Sequence, residues 1–546
     1  MSTPTKDTQH RPSVSFDQSV DGLPKTSQSP PPIKTTFSEG REASPLRQST
    51  LSTYQGSFVI PTVHKSRTLV LCFDGTGDQF DADNSNIVGL FSMLAKGDPD
   101  NQMVYYQAGI GTYIGPRANP FLNRVSKILD EAIAWNLDTH IMDGYEFLMQ
   151  NYRANDRICI FGFSRGAYTA RCLAGMLHKV GLLPACNHQQ VPFAYKMYKR
   201  PDEVGWKQSN AFKKAFSIDV DIEFLGVWDT VNSVGIIPRR LPFSTSNNIV
   251  RNFRHAIALD ERRAKFKANM WNRPVHGEHL LSITDQKAEK RAQKAAKAAE
   301  KSGKTKSPTN GKKKEDEHLH HFEDRYSSFR DTPTNVEEVW FAGCHCDVGG
   351  GSVTNETRHS LARITLRWMI REIFKREVGI IFQVEGLRAL GMDPGSLYPV
   401  VLPRAAIIPP EPQNYIERVP KVQPNILEHS LDDTSSEDDP YFKMTEEEHE
   451  LLDALSPKYD QLALKKTWWF GEIVPMTHRY QRSSNNEWEK TFKWNMGMGR
   501  VIPRQKIDGA KLHRSVKIRM ESAFENGKKY VPKAVNLDMS KVVWVD

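Results

Sequence analysis

Short, nearly continuous apolar runs recur along this chain, with stretches of helical apolar spacing between them. The first run, RTLVLCFDG (67–75), predicts a buried strand that closes at a glycine. A short helix near 86–97, a second strand at MVYYQAG (103–109) and helical spacing over 121–152 follow. DRICIFGFS (156–164) predicts the next strand, and RGAYTARCLAGMLHKVG (165–181) a helix ending on Gly181. VDIEFLGVWDT (220–230) and NVEEVWFAGCH (335–345) predict two further strands, and HSLARITLRWMIREIF (359–374) a strongly amphipathic helix. Strands that alternate with helices predict an α/β fold, a mostly parallel sheet with helices on both faces.

Segments without this pattern set the boundaries. Residues 1–60 are rich in Ser, Thr, Pro and Gln and are expected to form a disordered tail. One α/β domain is expected over 67–400, interrupted by a polar, Lys-rich insertion at 283–335. A Pro-rich, then acidic linker is expected over 405–450. A Trp-rich segment over 455–546 is expected to pack back onto the domain. No apolar stretch is long enough to span a bilayer, and the start, MSTPTKDTQHRPSVS, lacks the apolar core of a signal peptide. Six cysteines are few for 546 residues, and Cys72 and Cys159 sit inside strand-like runs, where reduced buried thiols are expected. A reducing, cytoplasmic location is the expectation.

The net charge of +9 suggests nucleic acid until it is located. Lys287–Lys314 holds eleven Lys/Arg and two Glu, so this one stretch carries the whole excess. It contains no aromatic residue, whereas a nucleic-acid face would spread its basic residues and interleave aromatics. It reads as a solvated helix fading into a tail, open to weak attraction by an anionic membrane surface or RNA or to pairing with the acidic stretch Asp432–Glu450. Specific nucleic-acid binding is not expected.

Candidate chemistry centres on Gly162-Phe163-Ser164-Arg165-Gly166, a G-x-S-x-G placed directly after one predicted strand and before one predicted helix. That context is what a nucleophile on a sharp strand-to-helix turn requires, because flanking side chains would clash there. A serine needs a base and an orienting acid, and on such sheets these follow in the order Ser, Asp/Glu, His at strand ends. Asp229 ends the run IEFLGVW, and His345 follows VWFAGC ahead of Asp347 and the glycines 349–351. His318, His320 and His321 lie in the polar insertion, and His255 and His513 follow helical or loop-like text. Oxyanion donors are expected from the backbone of Arg165 and of the loop at Gly75 and Thr76. Asp74 and Asp347 are read as loop supports, with a turn role or a cation as the alternatives for Asp74.

A rival reading starts from the same loop. Asp-x-Asp-Gly-Thr marks phosphotransferases that form an aspartyl phosphate, but Cys72 stands where the nucleophilic Asp would be. The C-H-C of Cys344 to Cys346 has no second Cys/His pair at ligand spacing, so no metal is expected. An organic cofactor is not needed either.

Taken in order, the FDGTG strand end, GFSRGAYTAR, GVWDTV, RHAIALDERR (254–263) and WFAGCHCDVGGG (340–351) resemble the catalytic domain of the Tle-type phospholipase effectors of bacterial type VI secretion and their relatives, eukaryotic ones included. The resemblance covers about 67–281 and 335–376, with looser similarity in the Trp-rich segment. It implies an α/β-hydrolase-like domain. The family's triad falls on Ser164, Asp229 and His345, and its activity is hydrolysis of a carboxylic ester, phospholipid in some members. The tail and the Lys-rich insertion depart from the family's compact bacterial pattern. The expected partner is therefore an ester or phospholipid substrate. The alternative is a non-catalytic interaction protein on a hydrolase scaffold.

Overall fold

The computed structural model describes residues 58–75, 78–109, 125–231, 241–271, 322–323, 333–420, 440–481 and 488–546. All of them belong to one compact unit, Tyr54–Asp546. The expected N-terminal tail up to residue 57, Lys287–Lys314 and residues 421–439 of the expected linker lie outside the described residues.

Eight parallel strands form the central sheet: β1 (Thr68–Phe73), β2 (Gln102–Gln107), β3 (Arg157–Phe163), β4 (Ile222–Trp228), β5 (Val250–Ala258), β6 (Asn335–Phe341), β7 (Ala510–His513) and β8 (Val542–Val545). Their order is β8-β7-β6-β5-β4-β3-β1-β2. Five of them were legible as apolar runs. Such runs arise because both faces of a parallel sheet are covered. In β1, Leu69, Leu71 and Phe73 join one core while Val70 and Cys72 join the other, and Ile158 and Ile160 of β3 part from Cys159, Phe161 and Phe163 in the same way.

Helix α1 (Asn86–Met93) and helix α4 (Leu361–Lys375) cover the Val70 face with Ile87, Leu90, Ile364 and Trp368. Helix α2 (Val125–Asn151) and helix α3 (Ser164–Val180) cover the Leu69 face with Ile141, Tyr145, Leu173 and Leu177. Gly181 closes α3 at φ +70°, in the left-handed region that a side chain disfavours.

Four features differ from the expectations. Ordered pairing starts ahead of Arg67, because Val59–Ile60 pair antiparallel with Phe382–Gln383 and Ile60 is fully buried. β5 was not expected as a strand at all. Its sequence VRNFRHAIA carries buried charge that is internally paired: Arg254 Nε donates to Glu372 at 2.7 Å, and His255 Nδ1 lies 3.1 Å from Glu338. The strand expected over 335–345 stops at Phe341. Gly343 turns the backbone at φ +113°, and His345–Gly349 forms a short helix, α5, capped by Cys344 and Asp347. Residues 510–546 do more than pack back: they add two strands to the sheet edge. Among the described residues no helix is long and apolar enough to cross a membrane.

Candidate active site

Parallel strands deliver their C-terminal ends to one rim, and the candidate residues sit there. Phe163 of β3 is in register with Trp228 of β4, so Ser164 and Asp229 leave adjacent strands at the same level. His345 arrives from the far side of β5, four residues past the end of β6.

Ser164 occupies φ +58° at the first position of α3. The flanking glycines are required by close backbone approach. A Cβ on Gly162 would lie 2.6 Å from Ala167 Cα, and one on Gly166 would lie 2.3 Å from the carbonyl oxygens of Phe73 and Asp74. Holding a non-glycine residue left-handed costs roughly 1–2 kcal/mol, which this packing sustains. Asp229 is likewise left-handed, at φ +40°.

The three side chains meet. Ser164 Oγ lies 2.8 Å from His345 Nε2, and His345 Nδ1 lies 2.5 Å from Asp229 Oδ2. All three are buried. The Ala258 N–H donates to Asp229 Oδ1 at 2.8 Å, and Arg500 clasps both carboxylate oxygens, Nη1 to Oδ1 at 2.5 Å and Nη2 to Oδ2 at 2.9 Å. Burial alone would push the Asp229 carboxyl up. Arg500 and His345 outweigh it and hold the group well below the usual carboxylate range. His345 is shifted down: burial disfavours its cation more than Asp229 favours it.

The imidazole is held from several sides. The Phe163 ring lies 4.7 Å from it, centroid to centroid, and the Phe266 ring meets it edge-on at 4.9 Å. The backbone N–H of His345 donates to Glu261, which pairs with Arg263. Asp260 accepts from the Gly343 N–H and from Tyr530. The 260–263 segment thus fixes the His345 turn, a role hidden in the sequence because these residues lie some eighty positions upstream.

Asp347 accepts from the N–H groups of Cys344 and Tyr459 and from Ser352, tying the Trp-rich segment to α5. Burial pushes its carboxyl up to about 6. Asp74 accepts from Gly75 N–H, Ser85 and Tyr106 at 2.6–2.8 Å. Gly75 N–H is therefore committed to Asp74, and Thr76 lies outside the described residues. Arg165 follows Ser164 in the first turn of α3.

Of the other histidines, His255 accepts from the Thr230 N–H and faces Glu338, and His513 bonds Ser515, so both serve the core. His318, His320 and His321 lie outside the described residues. Arg500 was missed in the sequence, where a lone arginine in GMGRVIP carries no local mark.

Residues 67–372 match the family model described as type VI secretion phospholipase effector Tle1-like, catalytic domain. A Saccharomyces cerevisiae protein named uncharacterized protein YEL023C is 29% identical over 548 residues, covering 81% of this chain and 78% of its own length. Two solved structures are also similar, each at 18% identity. One is an uncharacterized protein from Pseudomonas aeruginosa (64% of this chain, 50% of that chain, TM-score 0.29). The other is the Tle1 effector bound to the VgrG spike of the type 6 secretion system (40% and 49%, TM-score 0.23). The chain spans about half the length of each solved chain. Because the family model covers more than half of its residues, the chain belongs to the Tle1-like phospholipase effector family, by its catalytic domain.

Proposed function

We propose that the chain is a serine hydrolase that cleaves a carboxylic ester of a lipid, with phospholipid as the substrate class, through Ser164, His345 and Asp229. The observation that carries this reading is the unbroken hydrogen-bonded chain from Ser164 Oγ through the His345 ring to Asp229, at 2.8 and 2.5 Å. The lipid substrate rests on the family, whose description is that of phospholipase effectors.

In this mechanism His345 Nε2 takes the hydroxyl proton as Ser164 Oγ attacks the ester carbonyl. Asp229 holds Nδ1–H and so fixes the tautomer whose Nε2 accepts. It also offsets the charge of the imidazolium as it forms. The Arg165 N–H at the start of α3 stabilises the tetrahedral oxyanion, where the helix end favours negative charge. The second donor is assigned to the backbone of the loop at Gly75 and Thr76 in this reading. The intermediate expels the alcohol, which takes the proton from His345, and leaves an acyl-Ser164. Water, deprotonated by His345, then releases the fatty acid.

The test is release of fatty acid from phosphatidylcholine and from p-nitrophenyl esters by the full chain and by Ser164→Ala. Loss on the order of 10⁴-fold is expected. Unchanged turnover by the variant overturns the reading.

A further inference from the structure

The Trp-rich segment carries a second feature that the site chemistry does not use. Phe470, Ile473, Val474, Phe492, Trp494 and Met496 are each 54–73% exposed. They form one face. The strands Met476–Gln481 and Trp488–Lys493 pair as a hairpin that sets Met476 opposite Lys493, and the Met496 N–H donates to the Glu472 carbonyl. Residues 470–474 and 492–496 therefore run side by side.

Single exposed apolar residues are ordinary on a protein surface, but a contiguous aromatic and aliphatic group marks a contact site. Its charge is one-sided. The charged residues of 464–476 and 491–497 are Lys465, Lys466, Lys493 and Glu472. All three lysines are exposed, whereas Glu472 is buried and turned inward onto the N–H groups of Ala264 and Gly497. What faces outward is apolar with a cationic border, the composition that settles into the headgroup boundary of an anionic bilayer.

The face also adjoins the candidate site at both ends. Trp468 stacks edge-on against Phe266, which itself abuts His345, and Arg500, four residues past Met496, grips Asp229. A cavity of about 170 Å³ lies between Arg263–Lys265 and Thr467–Glu472.

We propose that Phe470, Ile473, Val474, Phe492, Trp494 and Met496, with Lys465 and Lys466, form a membrane-docking face that seats the chain on an anionic phospholipid surface beside Ser164. This goes beyond the hydrolase reading and takes from it only the purpose of the placement. It is also separate from the contact expected of Lys287–Lys314.

The experiment is vesicle flotation of the full chain in its Ser164→Ala form, with phosphatidylcholine alone and with phosphatidylcholine–phosphatidylserine, at low and high salt. Binding to both is expected, stronger with phosphatidylserine. The triple variant Phe470→Ser, Ile473→Ser, Trp494→Ser is expected to bind both on the order of tenfold more weakly or less. Lys465→Glu with Lys466→Glu is expected to lose affinity for the phosphatidylserine vesicles alone. Lys287–Lys314 is common to parent and variants, so the difference isolates this face. Circular dichroism checks the fold, and if the triple variant misfolds, Trp494→Ser and the lysine pair carry the test.

Parent-like flotation of the variants overturns the proposal, as does a parent that ignores both vesicles. Dissociation of a dimer by the triple variant with flotation unchanged also overturns it, and assigns the face to a second copy of the chain. Binding is read without turnover, so failure here leaves the Ser164 reading to its own assay.

Discussion

Arg500 and Asp229 form a buried, two-pronged ion pair across 271 positions of sequence. Arg500 also donates to the Ala258 and Phe266 carbonyls, so its planar fork is fully used. The orienting acid of the candidate site thus takes its counter-charge from the Trp-rich segment, and the site is incomplete without that segment.

Arg500→Gln leaves a buried carboxylate short of its main counter-charge. Removing one partner of such a pair costs about 3–5 kcal/mol, to be read from urea unfolding. Ester turnover is expected to fall with it. Arg500→Lys keeps the charge without the fork and is expected to lie between. Parent-like stability and turnover in Arg500→Gln would show that the pair is incidental.

The pH profile follows from two shifts. Asp229, held well below the ordinary carboxylate range, stays ionised through any practical assay. His345 is lowered from histidine's ordinary value of 6.5 by burial. Only the neutral imidazole accepts the Ser164 proton, so kcat/KM is lost as pH falls through the His345 pKa. The acid limb is therefore expected below pH 6.5. A limb above that value would contradict the assignment of the base.

Gly166 tests the turn that carries Ser164. A Cβ there meets two backbone carbonyl oxygens at 2.3 Å, and neither can yield as a side chain would. Gly166→Ala is expected to cost about 1–3 kcal/mol or more and to lower turnover by moving α3 off the end of β1. Gly97→Ala is the control: nothing lies within 4 Å, and a change within about 0.5 kcal/mol is expected in thermal unfolding. Equal effects of the two substitutions would refute the close-approach argument.

Strands buried on both faces were readable because every residue of TLVLCF is apolar or, like Thr68, fully buried. β5 was not readable, since Arg254 and His255 look like surface residues until Glu372 and Glu338 are found opposite them. β7 and β8, with four residues each, are too short for a pattern to emerge. At the candidate site, Ser164 was marked by local glycine spacing, and Asp229 and His345 by the strand ends before them. Arg500, Asp260 and Glu261 act through long-range pairing, which leaves no periodicity. Apolar runs report burial; ion pairs report topology, which no local window contains.

A reactive Ser164 is expected to be trapped by a fluorophosphonate probe. Intact mass followed by peptide mapping of the full chain is expected to find a single adduct on Ser164, absent in Ser164→Ala and formed far more slowly in His345→Ala. No adduct on the folded parent chain, or an adduct on another residue, would contradict it.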